Sequence, residues 1–338
     1  MNLVSPHLAQ SDTRDPIETA RSWLEAFDTV AVATVVSAWG SAPVPVGGQL
    51  VVAPDGRFEG SVSGGCVEID VIAEAQNVNA TAKPKRLEFG ITDELAWRAG
   101  LPCGGTIEVF VEPLRSSDRG VLDEILAALR SRRLIAVATN LETGDRRLLD
   151  PASVEDAELA AQIAAGESGI VARADGETFL HVLMPAVRLV LAGATHITQV
   201  LADLASRVGY DVVIVDPRPA FASAERFDGM TILEEWPEPS FAASAFDERT
   251  AIVALTHAAH LDDEALTAAL RSDCFYVGAL GSRKTHAKRL DRLRAAGIGD
   301  DDLARIHAPV GLAIGAKGPA EIAVSILAEI VKVARGAS

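Results

Sequence analysis

The chain has 338 residues, of which 49% are hydrophobic and 23% charged, and its formal net charge at pH 7 is −16. This composition is typical of a folded globular protein with more than one domain and differs from that of disordered chains. The negative charge argues against nucleic acid and anionic membrane surfaces as partners, because both are bound mainly through lysine and arginine.

The three cysteines, Cys66, Cys103 and Cys274, are too few for a disulfide framework. A reducing compartment is the natural location for such a chain. The first fifteen residues lack an apolar signal core, and no run approaches the ~18–20 apolar residues of a membrane span. We therefore expect a cytoplasmic protein without membrane insertion.

Hydrophobic periodicity in the first half predicts helices mixed with strands. The predicted helices cover residues 16–27, 67–76 and 121–129. The predicted strands cover residues 30–36, 49–53, 57–62, 107–111, 134–139, 170–174 and 178–183, the last two as a hairpin. We place a domain boundary near Met184 and Pro185, which gives an N-terminal mixed α/β domain over residues 1–185.

The pattern changes after residue 186. Short apolar runs predict strands at residues 189–192, 211–216, 250–256 and 275–280. Helical periodicity predicts helices at residues 197–208, 262–271, 283–296 and 319–334. Strands that alternate with helices of this length indicate parallel β-α-β units. Residues 186–338 are therefore predicted to form a Rossmann-like, doubly wound parallel-sheet domain.

Two short motifs in the first half pair a cysteine with adjacent glycines. The first reads GSVSGGCVE and contains Ser63, Gly64, Gly65, Cys66 and Glu68; the second reads LPCGGTIE and contains Cys103, Gly104 and Gly105. A helix beginning just after the first glycine pair would place backbone amides at an anion-binding helix N-terminus. A thiolate beside such a turn suits a soft metal or a sulfur donor, although a buried structural cysteine also explains each motif alone.

The first strand-turn-helix unit of the second domain is arranged like a dinucleotide site. Gly193 begins the turn, and Asp216 ends the next strand, where an acid can bind ribose hydroxyls. The glycine fingerprint is incomplete, because Thr195 stands at its second glycine position. Thr195 and His196 could donate to an anion at the helix N-terminus, and Arg218 could hold a phosphate. A Rossmann-like fold that serves only structure or dimerisation is nearly as consistent with these residues.

Two further segments lie where later strands are predicted to end. Gly278, Gly281 and Arg283 belong to a second glycine-rich turn into a helix, which could contribute to the same anion site. His257 follows a buried strand and could contact a cofactor or act as an acid or base. A metal site at His257, His260 and the adjacent aspartates Asp262 and Asp263 lacks diagnostic spacing.

These motifs resemble those of the XdhC/CoxI family, the accessory factors of xanthine dehydrogenase and related molybdenum hydroxylases. The similarity lies in Gly40–Pro43, in Gly60–Glu68, in Cys103–Pro113, in Gly278–Arg283 and in His307–Ala316. It covers nearly the whole chain, and the block SVSGGCVE is its most specific part.

The resemblance implies a chaperone that binds molybdenum cofactor, as molybdopterin or its dinucleotide form, and has no turnover of its own. Such proteins support sulfuration of the cofactor by a cysteine desulfurase and deliver it to the apo-hydroxylase. Cys66 and Cys103 would be the molybdenum contacts, and Glu68 could bind the pterin's amino edge. We also expect a homodimer. One alternative function is an oxidoreductase that binds NAD(P) or FAD through the second domain. Another is a scaffold that pairs the desulfurase with the hydroxylase and binds no cofactor itself.

Overall fold

The computed structural model describes residues 15–90, 105–173, 176–234, 236, 246–256 and 258–336. These residues divide after Pro185 into two compact units. No helix within the described ranges is long and apolar enough to cross a membrane.

The N-terminal unit mixes short helices with antiparallel sheets. Its elements in chain order are α1 (Pro16–Trp23), β1 (Thr29–Trp39), β2 (Gln49–Val52), β3 (Phe58–Gly60), α2 (Glu68–Thr81), β4 (Lys85–Phe89), β5 (Thr106–Arg115), α3 (Arg119–Arg130), β6 (Ile135–Asn140), β7 (Arg146–Leu149), α4 (Ala157–Ala164), β8 (Gly169–Arg173) and β9 (Gly176–Leu183). One sheet has the order β3-β2-β1-β5-β4 and the other β7-β6-β9-β8. Neighbouring strands in both sheets are antiparallel.

Two buried clusters show why the long strand β1 is apolar on both faces. Ala31, Ala33 and Val35 on one face pack with helix α2 through Val71 and Val78. Val30 and Val32 on the other face pack with α1 and α3, through Ala20 and Ile125. Successive side chains of a strand point to opposite faces, so a strand covered on both sides reads as a continuous apolar run.

The sequence patterns missed β4, β7 and α4. Strand β4 is largely exposed and carries the sequence KRLEF, so it lacks the clear alternation that a half-buried strand shows. Strand β5 continues to Arg115 beyond the predicted end at residue 111, although it contains Pro113. Its pairing with β4 ends at Val111, so this proline lies where only β1 remains as a neighbour.

The C-terminal unit alternates strands with helices. Its elements are β10 (Arg188–Ala192), α5 (His196–Arg207), β11 (Asp211–Val215), β12 (Thr231–Leu233), β13 (Thr250–Ala254), α6 (Ala259–Leu270), β14 (Tyr276–Ala279), α7 (Arg283–Ala295), α8 (Asp300–Leu303), β15 (Ile306–His307) and α9 (Pro319–Ala334). The strand order is β12-β11-β10-β13-β14-β15, and every pair is parallel. The predicted Rossmann-like, doubly wound sheet is confirmed.

Alternate residues of β10 face the two sides of this sheet. Leu189 and Leu191 belong to the cluster that contains residues of α5 and α9. Val190 and Ala192 belong to the cluster that contains residues of α6 and α7. The helix after β10 and the helix after β13 therefore lie on opposite faces, which makes the gap between these two strands a topological switch point. Ligands of doubly wound sheets bind at such a point, outside the carboxyl ends of the strands.

Candidate functional site

The loop before helix α2 is organised around the carboxylate of Glu68. This carboxylate accepts hydrogen bonds from two hydroxyl groups and four backbone amides: those of Ser61 and Ser63, and the amides of Val62, Ser63, Gly65 and Val67. Burial raises the pKa of Glu68, but the hydrogen bonds from Ser61 and Ser63 outweigh it and hold the pKa at about 2. Glu68 is therefore ionised at neutral pH and fixes the shape of the loop.

Hydrogen bonds within this loop also use the backbone amides that the sequence analysis predicted to bind an anion. The Gly64 amide donates to Ser61 Oγ at 2.8 Å, the Gly65 amide to Glu68 Oε2 at 2.9 Å, and the Cys66 amide to Ser63 Oγ at 2.9 Å. The anion site at these amides stays a prediction; in this structure their donors are used and a carboxylate already lies among them. Binding of the pterin edge by Glu68 would have to compete with the same contacts.

Cys66 is the cysteine that this loop carries. It is half-buried beside the core that includes Val67 and Val71. Gly64 and Gly65 are exposed, with φ angles of +76° and +114° that favour glycine. A Cβ built on Gly65 would meet nothing within 4 Å, so the approach to the turn is open. The loop thus combines a rigid backbone with an accessible face next to a thiol.

The second Cys-Gly motif is described only from Gly105 onward. A Cβ at this position would lie 2.8 Å from Trp39 O and 3.1 Å from Ser41 O, so glycine allows a close approach of two backbones. Gly105 therefore has a packing role ahead of strand β5. Cys103 and Gly104, predicted as cofactor contacts, lie outside the described residues.

The turn at Gly193 lies at the switch point of the parallel sheet. Its φ is +112°, and a Cβ there would lie 2.6 Å from Thr256 Cγ2 and 2.9 Å from Thr256 N. Thr195 caps helix α5 and exchanges hydrogen bonds with Thr198. His196 is exposed and contacts Gln199 Oε1 at 3.2 Å. Thr195 is therefore engaged in capping, whereas His196 remains at the surface.

Asp216 and Arg218 contact each other. The Asp216 side chain has no exposed surface and accepts from the Ala194 amide at 2.7 Å and from Arg218 Nε at 2.8 Å and Nη2 at 2.6 Å. Burial raises the pKa of Asp216, but the hydrogen bonds from Arg218 and Ala194 outweigh it and lower the pKa. The ribose contact at Asp216 stays a prediction; in this structure both oxygens of its carboxylate already accept hydrogen bonds. The Arg218 guanidinium is held by Asp216 and by the ring of Phe221; its Cζ lies 4.2 Å from the ring centroid.

A chain of buried polar groups joins the switch point to the end of strand β14. Thr256 donates through its amide and its hydroxyl to Asp262 Oδ1, at 3.1 and 2.7 Å. Asp262 Oδ2 accepts from Arg289 Nη2 at 3.3 Å, and the same nitrogen donates to Leu280 O at 2.9 Å. His257, between Thr256 and helix α6, lies outside the described residues. The sequence analysis missed Arg289, because nothing in the neighbouring residues indicates that this arginine is buried.

The second glycine-rich turn is shorter than predicted. Gly278 lies inside strand β14, where a Cβ would be 2.7 Å from Val310 Cγ2. Gly281 has a φ of +134° and begins the turn into α7, which Ser282 caps by accepting from the Thr285 amide. Arg283 is exposed at the first position of that helix. Gly278 is thus required for packing, and the turn itself is formed by Leu280–Ser282.

The histidine and aspartates considered for a metal have other partners. His260 lies against the ring of Trp236, with centroids 5.6 Å apart. Asp262 belongs to the buried chain described above, and Asp263 pairs with Arg292 at 2.5 Å. Within the described part of the chain, no group of three or more His, Cys, Asp or Glu side chains is arranged to hold a metal ion.

Comparison with known proteins gives matches over both units. Residues 23–90 match the model of the XdhC and CoxI family, and residues 189–330 match that of the XdhC Rossmann domain. The chain is 32% identical over 301 residues to the molybdenum cofactor insertion chaperone PaoD of Escherichia coli, covering 89% of this chain and 82% of that protein. It is 30% identical over 320 residues to a probable xanthine dehydrogenase subunit of Bacillus subtilis, covering 91% and 94%.

A solved structure is also similar over nearly the full length. It is described as a xanthine dehydrogenase from Bacillus halodurans, and it superposes with a TM-score of 0.79 at 26% identity. The match covers 96% of this chain and 97% of that one. The similarity therefore includes both units and is not limited to the common Rossmann-like half.

Proposed function

The chain belongs to the XdhC and CoxI family, and from that premise we propose that it binds molybdenum cofactor and inserts it into a molybdenum hydroxylase of the xanthine dehydrogenase type. A relative that matches 89% of the chain is a molybdenum cofactor insertion chaperone, which supports this assignment. The cofactor would be molybdopterin or its dinucleotide form. The site of action would be the cytoplasm.

The Cys66 loop is the observation that carries the proposal. Its backbone is held by the ionised Glu68, and its thiol is half-buried beside an open glycine turn. The Cys66 thiolate is a single soft donor. One such donor fits the molybdenum of the cofactor, because the organic part of the cofactor already binds the metal and soft metals favour sulfur ligands. Cys66 Sγ would hold the molybdenum end of the cofactor, and Gly64 and Gly65 would leave room for it. When bound, the cofactor supplies the redox-active metal centre that the client enzyme needs.

Sulfuration and assembly belong to the same proposal. A cysteine desulfurase would supply sulfur while the chaperone holds the cofactor and shields it from water. The apo-hydroxylase would then receive the product. We also propose a homodimer, in which two copies present their sites to one client. Cys103, in the second Cys-Gly motif, is retained as a further candidate contact.

The alternative oxidoreductase is less well supported. It would need Gly193 and Asp216 to bind a nucleotide, but both oxygens of the Asp216 carboxylate already accept hydrogen bonds from Ala194 and Arg218. The turn also has Thr195 in place of the second fingerprint glycine, and Thr195 caps the helix. NAD(P) or FAD binding at this edge would require Asp216 to exchange its present partners.

The deciding experiment measures molybdenum and pterin in protein purified from cells that make the cofactor. We expect near-stoichiometric cofactor in the wild type and a loss of most of it in Cys66→Ser. The matched control is Cys274→Ser, since Cys274 is only 4% exposed and burial raises the pKa of its thiol. Cys103→Ser tests the second motif in parallel.

Two outcomes would contradict the proposal. A wild-type protein that contains neither molybdenum nor pterin would not be a carrier of this cofactor, and a bound purine nucleotide in place of pterin would favour the oxidoreductase. Equal cofactor content in Cys66→Ser and Cys274→Ser would remove Cys66 from the site.

A further inference from the structure

A groove between helices α6 and α7 has no role in the function proposed above. It opens beside Leu280, at the carboxyl end of strand β14, and has a volume of about 380 Å³. This volume is within the range of small-molecule sites, which is about 300–1,000 Å³. The polar side chains of α7 that line it are Lys284, Thr285, Lys288, Arg289 and Arg292.

The groove is positively charged although the chain as a whole is acidic. Helix α7 carries six lysines and arginines against a single aspartate, in a chain of net charge −16. Arg292 is neutralised by Asp263, at 2.5 and 2.9 Å. Lys284 and Lys288 lie one turn apart and are exposed, and neither forms an ion pair with another described residue. Two positive charges of the groove therefore remain unbalanced.

Arg289 supplies the second, independent observation. Its side chain is only 2% exposed, and it lines the groove. One nitrogen, Nη2, donates to Asp262 and to Leu280 O, but Nε and Nη1 are buried and have no hydrogen-bond partner among the described residues. An unsatisfied buried donor of a charged group is costly, by about 1–3 kcal/mol or more. A guanidinium nitrogen without a partner is suited to donate a charge-assisted hydrogen bond to a phosphate oxygen.

We propose that this groove is a binding site for the phosphate group of a phosphorylated small molecule. Lys284 and Lys288 attract the anion, and Nη1 of Arg289, which lacks a partner among the described residues, donates to one of its oxygens. The N-terminus of α7 adds a favourable dipole, because the first turn of the helix borders the groove.

The buried chain Thr256–Asp262–Arg289 connects this site to the switch point of the sheet. A ligand with its phosphate at Arg289 would thus extend toward the edge where Rossmann-like folds bind their ligands. The assignment of that ligand as molybdopterin, which carries a phosphate, or its dinucleotide form rests on the proposed function. The anion site itself does not depend on that function.

The test is calorimetric titration of the cofactor-free, full-length protein with inorganic phosphate and with inorganic pyrophosphate at low ionic strength. We expect saturable binding that the double variant Lys284→Gln/Lys288→Gln weakens roughly tenfold or more. Binding should also weaken as salt rises to 0.15 M, where the screening length is about 8 Å.

A matched control comes from the same helix. Arg294→Gln removes one positive charge from an exposed side chain that pairs with Asp300 and does not line the groove. We expect it to leave both titrations within about twofold of the wild type. Arg289→Lys keeps a positive charge beside Asp262 but loses the planar set of donors, so it should fold and bind pyrophosphate several-fold more weakly.

Three results would overturn the site: no binding of either anion at millimolar concentration, an undiminished affinity in the double lysine variant, or an equal loss in Arg294→Gln. Because no molybdenum is present in these titrations, their failure is separate from failure of the chaperone assignment. Cofactor content that depends on Cys66 would still support the proposed function if the groove binds no phosphate.

Discussion

Glu68 shows how one carboxylate can define a functional loop. It is the acceptor for the hydroxyls of Ser61 and Ser63 and for amides on either side of the glycine pair. Each hydrogen bond contributes only modestly to the free energy of unfolding, but a buried donor that is left without a partner destabilises the fold more strongly. The serines and glycines of the SVSGGCVE block therefore have a structural role, because their donors surround the Glu68 carboxylate. Cys66 lies on the loop that these hydrogen bonds form.

We predict that Glu68→Gln lowers the free energy of unfolding by about 1–3 kcal/mol, because the new amide nitrogen cannot accept from Gly65 or Val67. Urea unfolding at neutral pH measures the change. Asp70→Asn is the control, since Asp70 has the same charge, lies in the same first helical turn and is exposed. Equal losses in the two variants would show that helix-dipole effects, and not the loop contacts, explain the result.

The pKa of Glu68 predicts that its contribution to the free energy of unfolding depends on pH. Its folded pKa of about 2 is below the ordinary value of 4.5, so its stabilisation is present above pH 4.5 and is lost as the pH falls toward 2. The stability difference between wild type and Glu68→Gln should therefore shrink when unfolding is measured at successive pH values below 4.5. A constant difference across that range would contradict the assignment.

At the scale of elements, the glycine-containing turns act by permitting close approach. Gly193 follows β10 with a positive φ and leaves space for the backbone of Thr256, which follows β13. The two strands can therefore stay paired up to the switch point, where Ala192 lies opposite Ala254. Gly278 does the same within strand β14 by making room for Val310.

We predict that Gly193→Ala is strongly destabilising. A positive φ costs an L residue roughly 1–2 kcal/mol, and crowding against Thr256 adds about 1–3 kcal/mol more. Gly209→Ala separates the two causes, because Gly209 has a φ of +86° and a Cβ there would meet nothing within 4 Å. Thermal unfolding of both variants gives the comparison. A similar loss in the two would mean that the contact with Thr256 is unimportant.

At the scale of the whole molecule, each unit has cores of its own. Leu189, Leu201 and Ile326 belong to one buried cluster of the C-terminal unit, and Val190 and Leu266 to another. These clusters cover both faces of the parallel sheet. A doubly wound sheet buried in this way has the hydrophobic interior that an independent domain needs.

We therefore predict that residues 186–338, expressed as a separate chain, fold and unfold cooperatively. Circular dichroism should show mixed helix and strand and a single thermal transition. A fragment that aggregates or melts without a transition would show that it depends on the N-terminal unit. Titration of a folded fragment with pyrophosphate would also show whether its basic groove functions without the N-terminal unit.

The elements that the sequence predicts well are those with strong local patterns. Helix α9 runs from Pro319 to Ala334 as expected, since a proline starts it and an apolar stripe continues to its end. The exposed strand β4 and the short strands β12 and β15 had no such pattern. Lys284 and Lys288, spaced by four, could have indicated a basic helix face, but nothing local marked Arg289 as buried.

The sequence by itself determined the family, the mixed N-terminal domain, the doubly wound C-terminal sheet and the two Cys-Gly motifs. These depend on residue spacing, which is a local property of the chain. The tertiary structure decided which polar groups are already satisfied: Glu68 by its own loop, Asp216 by Arg218, and Asp262 by Thr256 and Arg289. Hydrogen-bond partners and burial arise when distant segments pack together. For that reason only the tertiary structure shows that the amides of the glycine loop already have partners, whereas two nitrogens of the buried Arg289 have none among the described residues.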